Sequence, residues 1–385
     1  MELHRRVCAT IDLAALEDNL ELLKNKLKQD TQILAVIKAD GYGHGAIPIA
    51  KVCEAKDFIW GFGVAAIEEA LSLRLAGIVR PIILLGFTFP EGYETIVAND
   101  ITPTIFSYHQ AQELSKVASK AQKVANIHIA IETGMNRIGF ADESTSIEDI
   151  VRICDLSHIN VEGIFTHFAR ADERNLEPTK IQLGRFTKFL KHLIKAGLDI
   201  PLCHCSNSAA TIQLPEANMN LVRVGISMYG LYPSIELRDA GLSLTPVMSI
   251  SSHITYIKTV KTGGAISYGG TYIAPRDMVV ATIPVGYADG YARSLSNKGY
   301  VLIKGQRAPI IGRVCMDQLM VNISDIDNVK ELDEVILLGS SGKERITMED
   351  LSELSGRFNY EFACGISKRV PRIYINEKDS RYEKE

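Results

Sequence analysis

Short apolar runs alternate with helical segments between residues 12 and 235, and this alternation constrains the fold more than any other feature. The apolar, β-type runs fall at 33–37, 59–64, 82–85, 102–105, 127–131, 161–165, 202–205 and 221–224. The clearest helical segments between them are 67–76, 108–119 and 179–196. About eight strand–helix repeats predict a (β/α)8 TIM-like barrel. A doubly wound open sheet is the alternative, but it normally has fewer strands.

The pattern changes after residue 238, where helical periodicity fades and β-type runs with glycine turns replace it. These runs lie at 249–262, 278–286, 300–303, 308–315, 320–323 and 334–338. We therefore predict a barrel domain over 12–238, followed by a mostly β domain over 239–385. Residues 347–354 predict a short helix with Thr347 as its N-cap. Residues 6–11 read as a further strand ahead of the barrel.

Composition and charge exclude several classes of function. The net charge of −4 and the pI near 6.2 give no basis for binding nucleic acid or an anionic membrane. No apolar run approaches the roughly 18 residues that span a bilayer. The N-terminus lacks the apolar stretch of a signal peptide, and the seven cysteines follow no zinc spacing, so we expect a cytoplasmic protein with reduced thiols. Cys203-His204-Cys205 is not expected to bind metal, because alternate strand residues point to opposite faces.

Lys38 is the first candidate for chemistry. It closes the apolar run 33–37 and is followed by the turn Ala39-Asp40-Gly41-Tyr42-Gly43-His44. The carboxyl end of a barrel strand is where such a fold places its active site. An amine in a pocket of low dielectric has a lowered pKa and can act as a nucleophile. A lysine that merely leaves a strand into solvent is the simpler interpretation of Lys38 by itself.

The stretch from Lys38 to His44 resembles the signature of the alanine racemase family, which reads much like VIKADGYGHG. The resemblance implies a barrel enzyme in which Lys38 carries pyridoxal 5'-phosphate and Tyr42 reaches the cofactor phosphate. It also implies that the N-terminal strand, residues 1–11, joins the C-terminal β domain. Finally, it implies a homodimer with shared active sites, because the β domain of one subunit reaches the barrel mouth of the other.

Two further barrel motifs match the family in order. Glu132-Thr133-Gly134-Met135-Asn136-Arg137 resembles the family's T-G-M-x-R pattern, in which the arginine binds substrate. The family's commonly carbamylated lysine is replaced here by Ala130, so Arg137 lacks that anionic partner; an anion from solvent or a nearby carboxylate remain as alternatives. Thr166-His167-Phe168-Ala169 resembles a stretch whose histidine links a catalytic tyrosine to an arginine, although a buried structural histidine is the other interpretation of His167.

The loops after the seventh and eighth strands predict a phosphate site. Asn207 and Ser208 open a helix, and residues of this type either cap helices or bind ligands with their neighbouring N–H groups. Gly225 and Ile226 follow the eighth strand and are expected to offer backbone amides to the same phosphate. Arg223 ends that strand and can face the pyridine nitrogen of the cofactor. Because a guanidinium keeps its proton, this choice favours racemisation over transamination.

The β domain carries the second set of matches. Ser267-Tyr268-Gly269-Gly270-Thr271-Tyr272 resembles the family motif whose first tyrosine is a catalytic base, so Lys38 and Tyr268 would serve opposite faces of the substrate. Tyr287, Met316 and Asp317 correspond to family residues that border the substrate. Lys368 occupies the position of a tyrosine that contacts the phosphate in the family.

The motifs together predict a pyridoxal-phosphate-dependent alanine racemase that supplies D-alanine for peptidoglycan. The alternative is a serine or broad small-amino-acid racemase of the same fold, which the lysine at 368 motivates. A pyridoxal-phosphate carrier protein with the same barrel would lack the β domain and Tyr268. A barrel decarboxylase is disfavoured by the tyrosine motif. We expect no metal site.

Overall fold

The computed structural model describes residues 6–239 and 241–376, which fall into two compact units. One unit comprises residues 16–41 and 46–245. The other comprises the described residues up to Ala15, residues 42–45 and the chain from Pro246 onward. Strand β1 (Val7–Asp12) belongs to the latter unit.

The first unit is a near-closed barrel of eight parallel strands. In chain order its strands are β2 (Gln32–Val36), β3 (Ile59–Val64), β4 (Ile82–Leu84), β5 (Thr102–Ile105), β6 (Ala125–Ala130), β7 (Ile159–Phe165), β8 (Leu202–His204) and β9 (Leu221–Val224). From β2 to β8 each strand pairs in parallel with its neighbour in sequence, and β9 pairs with β2, so the opening of the barrel lies between β8 and β9. This sequential order confirms the predicted (β/α)8 barrel, and a doubly wound sheet would instead reverse its strand order.

Helices follow most of the barrel strands, and their predicted ends are correct to within two residues. The helices of this part of the chain are Leu13–Lys24, Ala46–Glu54, Ile67–Leu75, Tyr93–Ala98, Tyr108–Lys120, Ser144–Cys154, Glu177–Lys195 and Ser208–Gln213. Short 3-10 turns lie at Pro90–Gly92, Pro215–Ala217, Ile226–Tyr229 and Ile235–Asp239. No described helix is both long enough and apolar enough to cross a membrane.

The second unit is mostly β-structure. Its remaining strands are β10 (Met248–His253), β11 (Tyr256–Val260), β12 (Ala265–Ile266), β13 (Tyr272–Ile273), β14 (Met278–Ile283), β15 (Tyr300–Ile303), β16 (Gln306–Pro309), β17 (Leu319–Asn322), β18 (Glu334–Ser341), β19 (Glu344–Ile346) and β20 (Arg372–Ile375). The largest sheet has the order β16-β15-β18-β10-β1-β20, with β19 on β18; β11-β14-β17 form a second sheet. Strand β1 pairs antiparallel with β10 and parallel with β20.

Four of the predicted β-runs were wrong in extent: the run 278–286 ends at Ile283 in β14, and the run 334–338 continues to Ser341 in β18. The run 249–262 is two strands in different sheets, β10 and β11. The run 308–315 ends as a strand at Pro309, because Gly312 turns the chain with a φ of 77°. The predicted helix is present as Met348–Ser355, and Thr347 and Asp350 form a capping box at its start. A second helix, Asn359–Cys364, was not predicted.

Candidate active site

Lys38 opens a single left-handed turn at the carboxyl end of β2. Ala39, Asp40 and Gly41 have φ values of 52°, 53° and 62°, a conformation that costs non-glycine residues roughly 1–2 kcal/mol each. Two carboxylates hold the turn: Glu69 accepts from the Ala39 N–H at 2.6 Å, and Asp40 accepts from the N–H of residue 46 at 2.8 Å. Backbone held in such a sparsely populated region is characteristic of functional sites. The turn leaves Lys38 half-buried.

Arg223 is buried at the end of β9 and forms the centre of a hydrogen-bond network. Its Nη1 donates to Nδ1 and to the carbonyl oxygen of His204, at 2.9 and 3.0 Å. Its Nη2 donates to the Thr166 carbonyl at 2.8 Å, to His167 Nδ1 at 3.1 Å and to the Cys205 carbonyl at 3.2 Å. Burial lowers the pKa of Arg223 to about 10, so the side chain remains a cation at neutral pH.

His167 lies where three cationic side chains of the barrel converge. The pKa of His167 is lowered well below its ordinary value, first by burial and then by the positive charges of Arg223, Arg137 and Lys38. The imidazole is therefore neutral at pH 7. The structure thus brings four of the sequence-predicted residues together at the carboxyl ends of the barrel strands.

Arg137 is exposed and lines a small cavity together with Ala130 and His167. Within the described parts of the chain, no carboxylate lies within ion-pair distance of its guanidinium. Glu132 instead accepts from the backbone N–H groups of Gly134 and Arg137, the latter at 3.1 Å. Partial burial raises the pKa of Glu132, but these backbone hydrogen bonds outweigh it and lower the pKa overall. Glu132 therefore anchors its own loop and does not replace the missing carbamate.

The loops after β8 and β9 are joined by one hydrogen bond. The Gly225 N–H donates to Ser208 Oγ at 2.9 Å, so this amide is already engaged. Asn207 caps the helix Ser208–Gln213 by accepting from the N–H of residue 210. Ile226 begins a 3-10 turn, and its N–H therefore has no acceptor within that turn.

Tyr268 stands on strained backbone in the β unit. The residue before it, Ser267, has φ 66° and ψ −177°, a region essentially restricted to glycine. Ser267 Oγ donates to the Arg313 carbonyl at 2.6 Å and holds this conformation. A Cβ on Gly312 would lie 2.7 Å from the Ser267 Cβ, so glycine is needed there. The phenol of Tyr268 is 70 % exposed.

The turns that carry Tyr287 and Met316 are bonded to each other. The N–H of Tyr287 donates to the Cys315 carbonyl, and the N–H of Ala288 donates to the Met316 carbonyl, each at 3.0 Å. A Cβ at Gly286 would lie 2.3 Å from both carbonyl oxygens, so the close approach requires glycine. Because Ser267 also contacts Cys315, the motifs containing Tyr268, Tyr287 and Met316 are joined in one cluster.

Asp317 and Lys368 are connected through Arg369. Asp317 accepts from Arg369 Nη2 at 2.8 Å, and Lys368 is the exposed neighbour of that arginine. The buried Asp289 accepts two hydrogen bonds from Arg6, at 2.8 and 3.0 Å. The sequence did not single out this pair, because the two residues lie far apart along the chain.

Tyr42 is buried within the β unit, where its ring centroid lies 6.0 Å from that of Tyr360. Burial raises the pKa of its phenol. Within residues 6–239 and 241–376, no cluster of three or more histidine, cysteine or acidic side chains could hold a metal ion.

The sequence analysis assigned no role to two buried barrel histidines, His128 and His204, or to their partly exposed neighbour Glu162. His128 and His204 are fully buried and lie 2.8 Å apart, and His128 lies 3.4 Å from Glu162. One sequence pattern could have pointed to these residues: His128, Glu162 and His204 are polar side chains that interrupt otherwise apolar strand runs.

The fold defines a class of two-unit enzymes in which an α/β-barrel precedes a β domain. The model of the alanine racemase N-terminal domain matches residues 11–233, and that of the C-terminal domain matches residues 247–374. An alanine racemase of Clostridium tetani is 46% identical over 374 residues, covering 97% of this chain and 96% of that protein. The chain belongs to the alanine racemase family.

Comparison with solved structures gives the same family assignment. An alanine racemase from Clostridium difficile has a TM-score of 0.93 at 41% identity and covers 97% of both chains. That of Bacillus anthracis, solved with bound L-Ala-P, has a TM-score of 0.92 at 36% identity and covers 98% of this chain and 97% of its own. These similarities confirm the family and the fold class that the motifs and the strand pattern predicted.

The buried imidazoles predict an acid-sensitive fold. Burial lowers the pKa of His128, His167 and His204, so the folded protein binds fewer protons than the unfolded chain below about pH 6.5. Stability is therefore fully present above that pH and falls as the pH is lowered. Each imidazole contributes up to about 1.4 kcal/mol per pH unit to the slope of the free energy of unfolding against pH.

Urea unfolding of the barrel between pH 7.5 and 5.5 measures this slope. The substitution His128→Gln should reduce the slope by the contribution of about one imidazole, because it removes one of the three titrating rings. An unchanged slope in that variant would contradict the prediction.

Proposed function

We propose that this protein interconverts L-alanine and D-alanine with pyridoxal 5'-phosphate as cofactor. The observation that carries the proposal is the convergence of Lys38, Arg137 and Arg223 around a neutral His167 at the carboxyl ends of the barrel strands. Three cations near one imidazole are complementary to a ligand set with several negative charges, such as a phosphate and an amino-acid carboxylate.

The barrel residues fit the cofactor in two places. Ser206 Oγ and Ser227 Oγ are buried beside the joined loops after β8 and β9, and neither has a hydrogen-bond partner among the described residues. These loops would hold the phosphate through Ser208 and the Ile226 N–H, with Gly225 and Asn207 supporting their conformation. By family resemblance, Tyr42 and Lys368 would also contact the phosphate.

Arg223 would face the ring nitrogen. Both of its terminal nitrogens donate to the protein, whereas its Nε donates to no described residue and remains available to a ligand. When bound, the cofactor acts as the electron sink that acidifies the substrate's Cα–H. Because the guanidinium keeps its proton, the sink stays weak, which favours proton return to Cα over transamination.

Lys38 and Tyr268 would exchange protons with opposite faces of Cα. The amine of Lys38 would take or return the proton on one face, and the phenol oxygen of Tyr268 on the other. A phenol with an ordinary pKa near 10 needs donors or cations beside it to act at neutral pH. His167, which accepts from Arg223 at Nδ1, keeps an Nε2–H that can donate to such a phenol oxygen.

A homodimer would complete the site, as the family resemblance implies. In support, Tyr268, Tyr287 and Met316 form one joined cluster in the β unit, and their side chains are 70%, 41% and 52% exposed. Exposed aromatic and methionine side chains of this kind are typical of protein interfaces.

Arg137 would bind the substrate carboxylate, since its guanidinium is exposed and suits bidentate recognition of a carboxylate. Asp317 and Met316 would border the same substrate. D-alanine made in the cytoplasm would serve peptidoglycan synthesis. A serine or broad small-amino-acid racemase remains the second candidate, because Lys368 stands where the family has a tyrosine.

Lys38→Ala tests the proposal. We expect the variant to lose the visible absorbance of bound cofactor and to racemise alanine only at background rate, because no other amine holds that position. A coupled assay with L-alanine and L-serine, with and without added pyridoxal phosphate, measures the activity. Reductive trapping should label Lys38 in the wild type. Lys51→Ala, on the exposed face of the helix Ala46–Glu54, is the control. Full activity in Lys38→Ala would exclude the proposal.

Tyr268→Phe should retain the cofactor but act unequally on the two directions of reaction. Its loss removes the proton donor and acceptor on one face only, so deuterium wash-in at Cα should slow strongly from one enantiomer and little from the other. Equal and near-wild-type exchange from both enantiomers would rule out the two-base assignment.

Lys368→Tyr should raise the ratio of kcat/KM for alanine over serine. A tyrosine would replace a flexible donor with an aromatic wall, which favours a methyl over a hydroxymethyl side chain. A single small group is worth roughly 1–3 kcal/mol in a pocket, so we expect a shift of about tenfold and retention of both substrates. Lys343→Tyr, at another exposed lysine of the β unit, is the matched control. An unchanged ratio would show that Lys368 does not face the substrate.

A further inference from the structure

Three imidazoles and one guanidinium form a continuous hydrogen-bonded chain inside the barrel. Arg223 contacts Nδ1 of both His167 and His204, at 3.1 and 2.9 Å. His204 Nε2 lies 2.8 Å from His128 Nδ1, and His128 Nε2 lies 3.4 Å from Glu162 Oε2. The chain therefore runs from the candidate active site to a carboxylate that is 22% exposed.

The direction of every hydrogen bond in this chain follows from Arg223. A guanidinium only donates, so the Nδ1 atoms of His167 and His204 must both be acceptors, and each ring carries its proton on Nε2. His204 Nε2–H then donates to His128 Nδ1. His128 must in turn carry its proton on Nε2 and donate it to Glu162. Burial lowers the pKa of all three imidazoles, in agreement with three neutral rings.

The barrel is shaped to hold these rings. His128 pairs with Gly163 across β6 and β7, and a Cβ at Gly163 would lie 2.3 Å from His128 Cε1. Phe165 stacks on His204 with ring centroids 4.9 Å apart, and the Arg223 guanidinium lies 5.2 Å from the same Phe165 ring. The rings therefore have little freedom to turn and exchange their donor and acceptor atoms.

We propose that Glu162 and His128 are positioning residues that fix the proton on His204 Nε2 and thereby hold Arg223 with its Nε available to the ligand. The inference rests on the proposed function only for the role of Arg223 toward the cofactor. Without the acceptor at Glu162, the buried Nε2–H of His128 loses its partner. The alternative tautomer of His128 would then place two N–H groups against each other at the His204 contact and disturb the bond to Arg223.

The first test is ¹⁵N NMR of the histidine-labelled holoenzyme. We expect His128, His167 and His204 each to show a pyridine-like Nδ1 and a protonated, pyrrole-like Nε2 between pH 6 and 8. A cationic ring, or a proton on Nδ1 of His204, would overturn the proposal without any substitution. The spectrum tests the tautomers independently of activity. If the wild type fails to racemise alanine, only the proposed function is excluded, and the spectrum still decides the present proposal.

The second test compares Glu162→Leu with Glu162→Gln. The leucine removes the acceptor, and we expect mixed tautomers at His128 and His204 and a kcat lower by about tenfold, with KM changed less than about twofold. The glutamine oxygen still accepts from His128, so it should restore both the spectrum and kcat.

The matched control is Asn160→Leu, a change of similar shape on the same strand, where Asn160 donates to Asn126 at 2.8 Å. It should leave the imidazole spectrum and kcat unchanged. Wild-type tautomers and kcat in Glu162→Leu would overturn the proposal, as would equal losses in Glu162→Leu and Glu162→Gln.

Discussion

The buried guanidinium of Arg223 is the interaction on which the barrel's active end depends. A cation removed from water is strongly destabilising unless its donors are satisfied. Here the guanidinium donates to the backbone carbonyls of Thr166, His204 and Cys205. It also donates to the imidazole rings of His167 and His204. These acceptors lie at the ends of two neighbouring strands, so one side chain fixes the relative positions of β7, β8 and β9. Removing it would take a donor from each of these buried acceptors, and among the described residues only the His204 carbonyl would keep a second one, the Thr166 N–H.

The β unit solves a similar positioning problem with backbone contacts. Gly286 and Gly312 allow two turns to approach more closely than any side chain would permit. The close approach joins the backbone carrying Tyr287 to the carbonyls of Cys315 and Met316, and Ser267 is held in a glycine-like conformation before Tyr268. The exposed phenol of Tyr268 is thus presented from a stiff loop, so the role proposed for it would require little further loss of conformational entropy.

The sequence predicted the regular elements well, because each depends on local pattern. The eight barrel strands are buried apolar runs, and their observed limits differ from the predicted ones by two residues at most. The left-handed turn after Lys38 could not be predicted, because it depends on Glu69, which is distant in sequence, and on three non-glycine residues at positive φ. The hydrogen-bonded series of side chains that ends with His128 and Glu162 could not be predicted from the sequence either. Its members are far apart in sequence, and its geometry depends on the missing Cβ of Gly163.

Family motifs suggested roles for residues that physical patterns alone left ambiguous, and the structure shows the surroundings of one of them, His167. His167 read in isolation could have been a structural core residue, and in one sense it is: it is buried and neutral. Its neutrality follows from its neighbours, since Arg223 occupies its Nδ1 and the charges of Lys38 and Arg137 disfavour a fourth cation. The same three cations favour anionic ligands at this end of the barrel. One electrostatic arrangement therefore keeps the imidazole neutral, with its proton on the remaining nitrogen, and gives this end of the barrel a positive potential, as the proposed binding of phosphate and carboxylate groups requires.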